Sequence, residues 1–243
     1  MLPGICAPCG VVMSASRRCL VVAIDGPVGA GKSTAARRLA AALGYVYIDS
    51  GAMYRAFGWK AVREGVDLRD RERLAALAAR TDIRIRPGAA GPRVLVDNTD
   101  VTEELRTPRM DEASSLVSVW PEVRERLVAL QRALAAAGAV VMDGRDIGTV
   151  VLPDADVKFY LDADPDVRAA RRLRDIERRG LAAEFDAVRT EVLRRDARDS
   201  GRAASPLRPA PDAIRVDSSR LDADAVLALM LRETAKRSRS DNS

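Results

Sequence analysis

Short apolar runs alternate with longer helix-forming segments along most of the chain. Five runs have the composition of buried strands, near residues 21–24, 45–48, 139–142, 157–161 and 213–216. Helical patterns occupy residues 33–43, 52–64, 71–80, 121–138, 165–179, 185–199 and 222–236. Strands that alternate with helices are typical of an α/β fold. We therefore expect a five-stranded parallel sheet with helices on both faces.

One region departs from this pattern. Residues Ile83–Arg86 and Val94–Asp97 alternate strictly between apolar and polar, and the segment 87–92 between them holds two glycines and two prolines. Strict alternation predicts strands with one buried face, so we expect an antiparallel hairpin, with a third short strand around 100–102. We predict a small insertion at about 67–118, within a core of residues 20–66 and 119–236.

A glycine-rich turn follows the first strand. The stretch from Val21 to Thr34 matches G-x-x-x-x-G-K-[ST], with Gly26, Gly31, Lys32 and Ser33 in the fixed places. Such a loop aims backbone N–H groups at phosphates, its lysine reaches the β- and γ-phosphates, and its hydroxyl holds Mg²⁺. An ordinary glycine turn is the alternative, but the motif, the preceding strand and the following helix all agree on a P-loop NTPase fold. The residues expected to bind ATP here are Gly26, Pro27, Val28, Gly29, Ala30, Gly31, Lys32, Ser33 and Thr34.

The charge balance is weak evidence about partners. The net charge is +5 and the pI is about 9.4, which could indicate nucleic acid. We expect no nucleic-acid partner, because the arginines are spread along the chain without a dense stripe of bases and aromatics. The chain has no histidine. Any chemistry must therefore use carboxylates, arginine, lysine and a bound metal.

The two ends of the chain are expected to be flexible. All three cysteines lie at or before Cys19, and the Cys6/Cys9 pair has no second pair, so we expect neither a disulfide framework nor a zinc site. Residues 1–19 do not look like a secretory signal, and no apolar run is long enough to span a membrane. We therefore expect a cytoplasmic protein with no membrane partner, a flexible extension at 1–19 and a disordered tail at 237–243. No apolar stripe is left over, which favours a monomer.

Two loops place polar groups at the carboxyl ends of strands, the edge where open sheets bind ligands. In Asp49-Ser50-Gly51 we expect Ser50 to cap the next helix, and Arg55 to be either an anion site or solvated. In the 143–146 loop, Asp143 has the place of a carboxylate that holds Mg²⁺ directly or through water, and Arg145 can neutralise phosphate.

Two arginine-rich segments allow two interpretations each. Arg195, Asp199 and Arg202 have the spacing of one helix face, and they form either a surface ion pair or a clamp on phosphates and ribose. The 165–179 helix carries six arginines and is either a solvated basic face or part of a lid, at about 165–182, over the triphosphate. In the lid interpretation Arg171 contacts ATP.

Four blocks together, DGPVGAGKST, IDSGAMYR, DGRDIGTVVLPDADVKFYLDA and RRDARDSGRAASPL, resemble the signature segments of bacterial cytidylate kinases, a family of nucleoside monophosphate kinases. The resemblance covers about residues 20–236. It implies transfer of the γ-phosphoryl group of ATP, with Mg²⁺, to CMP or dCMP. It also implies that the 67–118 insertion helps to cover the acceptor.

The resemblance further implies roles for individual residues. Residues at the positions of Ser50, Arg55, Arg145 and Arg202 hold the acceptor phosphate. Ser115, Arg124 and Asp146 read cytosine, and Arg195 and Asp199 hold the sugar. The full set expected to bind CMP is Ser50, Tyr54, Arg55, Ser115, Arg124, Arg145, Asp146, Arg195, Asp199 and Arg202. The catalytic set is Lys32, Arg145, Arg195 and Arg202, and the metal set is Ser33 and Asp143.

Two alternatives remain open. A kinase for UMP or AMP would share the P-loop, although adenylate kinases lack the DGRD-I-G-T-V block and this insertion. A nucleotide-dependent switch such as a GTPase would need an N-K-x-D motif to read guanine, and the sequence has none.

Overall fold

The computed structural model describes residues 19–86, 88 and 91–240. The strands are β1 (Val21–Asp25), β2 (Val46–Asp49), β3 (Ile83–Arg86), β4 (Arg93–Val96), β5 (Thr99–Asp100), β6 (Val140–Gly144), β7 (Val157–Asp162) and β8 (Ile214–Asp217). The helices are α1 (Lys32–Leu43), α2 (Ser50–Arg63), α3 (Arg71–Arg80), α4 (Pro108–Val117), α5 (Pro121–Ala135), α6 (Pro165–Glu177), α7 (Phe185–Ser200) and α8 (Ala223–Ser240). A π-helical turn, Ile147–Val151, follows β6.

The described part of the chain divides into two compact units, and the first comprises residues 19–47 and 137–240. The larger sheet has the strand order β2-β6-β1-β7-β8. Strand β1 is parallel to β6 and β7, and β7 is parallel to β8. Apolar side chains of the central strands form one core with those of α1 and α8, including Ile24, Leu39, Phe159 and Met230. This confirms the α/β fold with a five-stranded parallel sheet.

The second unit comprises Ile48–Ala136 and contains the smaller sheet, of order β3-β4-β5. Both of its pairings are antiparallel, as the alternating pattern predicts. The unit is wider than the predicted insertion at 67–118, because α2 packs against α4 and α3 against α5 around one apolar core. Helix α4 is absent from the sequence-based prediction, and Thr107 caps it by accepting the Met110 N–H. Residues 87, 89 and 90 of the predicted hairpin loop lie outside the described residues.

Two local predictions are wrong. Asp49, and not Ser50, caps α2: its backbone is extended and its carboxylate accepts the Ala52 N–H at 2.9 Å, which leaves Ser50 as the first helical residue. Arg202 does not continue the face of α7, because that helix ends at Ser200 and Gly201 follows it.

The chain ends differ in how far they are described. Residues 1–18, with the predicted extension and the Cys6/Cys9 pair, lie outside the described residues, as do 241–243. Helix α8 continues to Ser240, so residues 237–240 are helical where disorder is expected from the sequence. Within the described part of the chain, no helix is long and apolar enough to cross a membrane.

Candidate active site

The glycine-rich turn between β1 and α1 has the backbone conformation that its sequence predicts. Gly26 has φ +148°, and a Cβ there would lie 1.9 Å from the Leu161 carbonyl oxygen. Gly29 has φ +77°, and a Cβ there would lie 2.7 Å from the Arg168 carbonyl oxygen. Both conformations favour glycine, and both sites exclude a side chain. The turn therefore keeps a shape that a phosphate-binding loop requires.

Lys32 is the buried cation of this turn, with 5% of its surface exposed. Its Nζ donates a hydrogen bond to the Pro27 carbonyl oxygen at 2.6 Å. Burial and the positive charges of Arg145 and Arg195 together lower the pKa of Lys32 to about 7, against the attraction of Asp143 and Asp25. An ammonium that faces two guanidinium groups is stabilised by an anion, so these three side chains suit a polyphosphate.

Ser33 and Asp143 lie together, as expected for a metal site. The Ser33 hydroxyl donates to Asp143 Oδ2 at 2.9 Å, and the Tyr47 hydroxyl donates to Oδ1 at 2.8 Å. Asp143 is 3% exposed. No group of three or more acidic, histidine or cysteine side chains in the described residues could hold a metal ion. A hydroxyl with a single carboxylate fits Mg²⁺ that arrives with a triphosphate, since such ions use one or two protein carboxylates and substrate phosphates.

A chain of ion pairs links the loop after β6 to the end of α7. Arg145 Nε donates to Asp199 Oδ2 at 3.0 Å, and Arg202 Nη2 lies 2.8 Å from Asp199 Oδ1. Asp199 and Arg202 are both buried. Burial alone would raise the pKa of Asp199, but the charges of Arg145 and Arg202 outweigh it and hold this pKa below its usual value. The structure therefore brings the three residues together even though Arg202 lies beyond the helix.

Asp146 begins the π-helical turn after Arg145. It is 4% exposed, and its carbonyl oxygen accepts from the Val150 and Val151 N–H groups. The second of these is an i to i+5 bond, which defines a π-turn. Turns of this kind are frequent at functional sites, so the π-turn is consistent with a functional site at residues 145–146.

Two arginines of helix α6 connect it to the P-loop, Arg168 directly and Arg171 through Ser218. Arg171 donates to the side chain and the carbonyl of Ser218, at 2.9 and 2.7 Å, and the Ser218 hydroxyl donates to the Ala30 carbonyl. Arg168 is buried and donates to the Val28 carbonyl, at 3.2 Å, and to Asp196 of α7. Arg168 is thus no part of a solvated basic face, and Arg171 lies close to the predicted ATP loop.

The comparisons with known proteins agree with this geometry. The model of the family described as cytidylate kinase matches residues 22–236. A cytidylate kinase of Pelotomaculum thermopropionicum is 51% identical over 211 residues, which cover 86% of this chain and 93% of that protein. A cytidylate kinase of Geobacillus kaustophilus is 48% identical, over 87% of this chain and 94% of that protein. The chain belongs to the cytidylate kinase family.

Among solved structures, a shikimate kinase from Acinetobacter baumannii aligns with 91% of this chain and 96% of its own. Its sequence identity is 17% and the TM-score is 0.45, and we draw nothing from a likeness of this size. Membership of the cytidylate kinase family therefore rests on the sequence comparisons.

The remaining residues that the family resemblance assigns to CMP lie in the second unit. Arg55 Nη2 donates to Asp49 Oδ2 at 2.8 Å, and its Nη1 lies 3.8 Å from Asp111 Oδ1. The guanidinium of Arg124 lies 5.6 Å from the centre of the Tyr54 ring, and both residues are buried. Ser50 and Ser115 are buried as well. Within this unit Arg55 is thus a partly buried cation held by two carboxylates.

Sequence reasoning missed Asp25, Tyr47 and the pair formed by Arg168 and Asp196. Asp25 precedes the glycine turn at the end of an apolar strand, and a carboxylate in such a place is the one signal that could have identified it. The other three residues depend on contacts between distant segments of the chain, for which their local sequence gives no indication.

Proposed function

We propose that this chain transfers the γ-phosphoryl group of ATP to CMP or dCMP and forms ADP with CDP or dCDP. The main support for this proposal is the cluster of positively charged side chains at the P-loop. Lys32 is buried, the positive charges of Arg145 and Arg195 are near enough to lower its pKa, and Asp199 joins Arg145 to Arg202. Two anionic substrates repel each other, and an array of cations around the transferred group offsets that repulsion.

The chemistry requires positioning more than acid–base catalysis. The acceptor is already a phosphate oxyanion, so no general base is required and the absence of histidine is no obstacle. Lys32 would contact the β- and γ-phosphates, while Arg145, Arg195 and Arg202 neutralise charge that develops during transfer. A single arginine in such a role is worth roughly 10³–10⁵ in rate.

Ser33 and Asp143 would hold Mg²⁺ with ATP. Their oxygens lie 2.9 Å apart and are hard ligands of the type that Mg²⁺ prefers. When bound, the ion would neutralise phosphate charge. Tyr47 would keep Asp143 oriented through its hydrogen bond to Oδ1.

The family resemblance assigns recognition of the cytosine base to Asp146. A carboxylate accepts a hydrogen bond from the exocyclic amine of cytosine and repels the carbonyl that uracil carries there. A site built on such bonds rejects the wrong base by up to about 10⁴–10⁵. The family resemblance assigns Ser50, Tyr54, Arg55, Ser115 and Arg124 to acceptor binding too, and these assignments rest on that resemblance. A monomeric state and the absence of a nucleic-acid partner stay predictions.

A coupled assay of ADP release tests the proposal. ATP and Mg²⁺ are supplied with CMP, dCMP, UMP, AMP or GMP in turn, with an acceptor-free reaction as the blank. Turnover above the blank with CMP and dCMP supports the proposal. Preference for another acceptor would overturn the base assignment and keep the kinase, and turnover equal to the blank throughout would overturn the kinase assignment.

A further inference from the structure

Asp25 is a buried carboxylate that the proposed chemistry does not use. It is the last residue of β1, directly before Gly26, and it is 3% exposed. Its Oδ1 accepts the Ile147 N–H at 2.8 Å and its Oδ2 accepts the Gly148 N–H at 2.7 Å. Both oxygens are therefore bound to the backbone of one short segment.

The two amides belong to the start of the π-helical turn, immediately after Arg145 and Asp146. The first N–H groups of a helical turn have no partner inside it, and the side chain before the turn commonly accepts them. Here that residue is Asp146, and its side chain makes no cap bond. Asp25, which is 122 residues from Ile147 in sequence, accepts them instead.

This arrangement is costly for the protein. Burial raises the pKa of Asp25 to about 7, against the lowering effect of the Gly148 and Ile147 N–H groups. The residues opposite it on β6 and β7 are Gly144 and Tyr160, and the positive charge of Lys32 lowers its pKa less than the two N–H groups do. The two bonds to the turn are therefore the strongest interactions that stabilise the buried carboxylate.

We propose that Asp25 is a positioning residue, which fixes the turn after β6 and thereby the direction of Arg145 and Asp146. It sets the selectivity for cytosine over uracil without touching the substrate. The inference rests on the proposed function. It follows from the geometry because Asp25 occupies the cap amides, so the Asp146 carboxylate does not fold back onto its own turn. A displacement of about 1 Å in a reacting constellation can cost roughly 10²-fold in rate.

The test compares Asp25→Asn with a matched control, Asp156→Asn. Asn at position 25 keeps one carbonyl oxygen for one amide, but its NH₂ group then faces the N–H of the other. Asp156 accepts the Val21 N–H at 2.7 Å, at the opposite end of the same strand. Both variants lose one carboxylate bound to backbone, and only the first is connected to the turn.

We expect Asp25→Asn to raise the KM for CMP by about 10-fold or more and to lower the CMP:UMP ratio of kcat/KM by a similar factor. The Kd for a fluorescent ATP analogue should change by less than about 3-fold. Asp156→Asn should lower the midpoint of thermal unfolding while both kinetic quantities stay at their wild-type values. If the two variants shift the CMP:UMP ratio equally, or if neither shifts it, Asp25 is merely structural and the inference fails.

If Asp25→Asn does not fold, a measurement on the wild-type chain tests whether Asp25 holds the turn after β6. Amide hydrogen exchange at Ile147 and Gly148 should be slow before any CMP is added, because Asp25 already holds both groups. Rapid exchange that slows only with CMP would overturn the inference. Failure of the proposed function is seen separately, as wild-type protein that does not phosphorylate CMP.

Discussion

Replacement of Lys32 by methionine tests whether this lysine has a functional or a structural role. The ammonium is 5% exposed and its hydrogen bond to the Pro27 carbonyl is 2.6 Å long. Methionine has a similar length and no charge, so the variant removes the charge and this bond but retains the packing.

The expected effect on stability follows from the pKa of Lys32, which burial lowers to about 7. Near neutral pH, a fall of this size from the ordinary value of 10.5 corresponds to roughly 4 kcal/mol of destabilisation in the chain without ligand. The hydrogen bond to Pro27, which the substitution also removes, offsets this by only about 1.5–3 kcal/mol. Lys32→Met should therefore leave the free energy of unfolding unchanged or raise it. Catalysis should fall by about 10³-fold or more, since charge stabilisation of the transferred phosphoryl group is lost.

The assay pairs urea denaturation of the ligand-free protein with CMP-dependent release of ADP. Lys158→Met is the control, because Lys158 is also buried and donates to a backbone carbonyl, at Pro153, but pairs with Asp212 at 2.9 Å. It should lose about 1–3 kcal/mol and keep its turnover. If Lys32→Met is instead destabilised by more than about 1 kcal/mol, Lys32 is a stabilising residue and the prediction is wrong.

Three further predictions concern the same unit. Asp199→Asn should raise the KM for CMP and lower the free energy of unfolding by about 2–3 kcal/mol in urea, because its two guanidinium partners lose a buried counter-charge. Gly29→Ala should weaken ATP binding by about 10-fold or more in a titration, because the new Cβ has no space. Gly44→Ala is the control, since Gly44 also has a positive φ but has nothing within 4 Å. It should lower the free energy of unfolding by about 1 kcal/mol and leave ATP binding intact. Because the pKa of Lys32 is depressed in the folded chain, the unfolded chain holds more protons above pH 7. Lys32 should therefore contribute a rise in the thermal midpoint of the ligand-free chain between pH 7 and 9. The Lys32→Met variant should lack that contribution.

The parts of the site that local sequence determines could be predicted before the structure. The P-loop is predictable because its glycines, its lysine and the following helix are specified within one short stretch of sequence. The strands of the larger sheet are predictable for the same reason, because each is a short apolar run between turn signals.

The parts of the site that depend on which residues meet in the folded chain cannot be predicted from local sequence. Ser50 and Asp49 are both good caps, and only the extended backbone at Asp49 decides between them. The spacing of Asp199 and Arg202 predicts one helix face, but the helix ends at Ser200 and the pair forms across its end. Asp25 finds its amides 122 residues away, which no window of sequence can show.

A competition between CMP and UMP measures directly whether the enzyme prefers cytosine to uracil. Equal concentrations of the two acceptors are placed in one reaction with limiting ATP and Mg²⁺, and CDP and UDP are quantified at low conversion. The product ratio equals the ratio of kcat/KM for the two bases. We predict an excess of CDP of at least about 10²-fold, in keeping with a base read by a buried carboxylate. Equal amounts of CDP and UDP, or an excess of UDP, would contradict it.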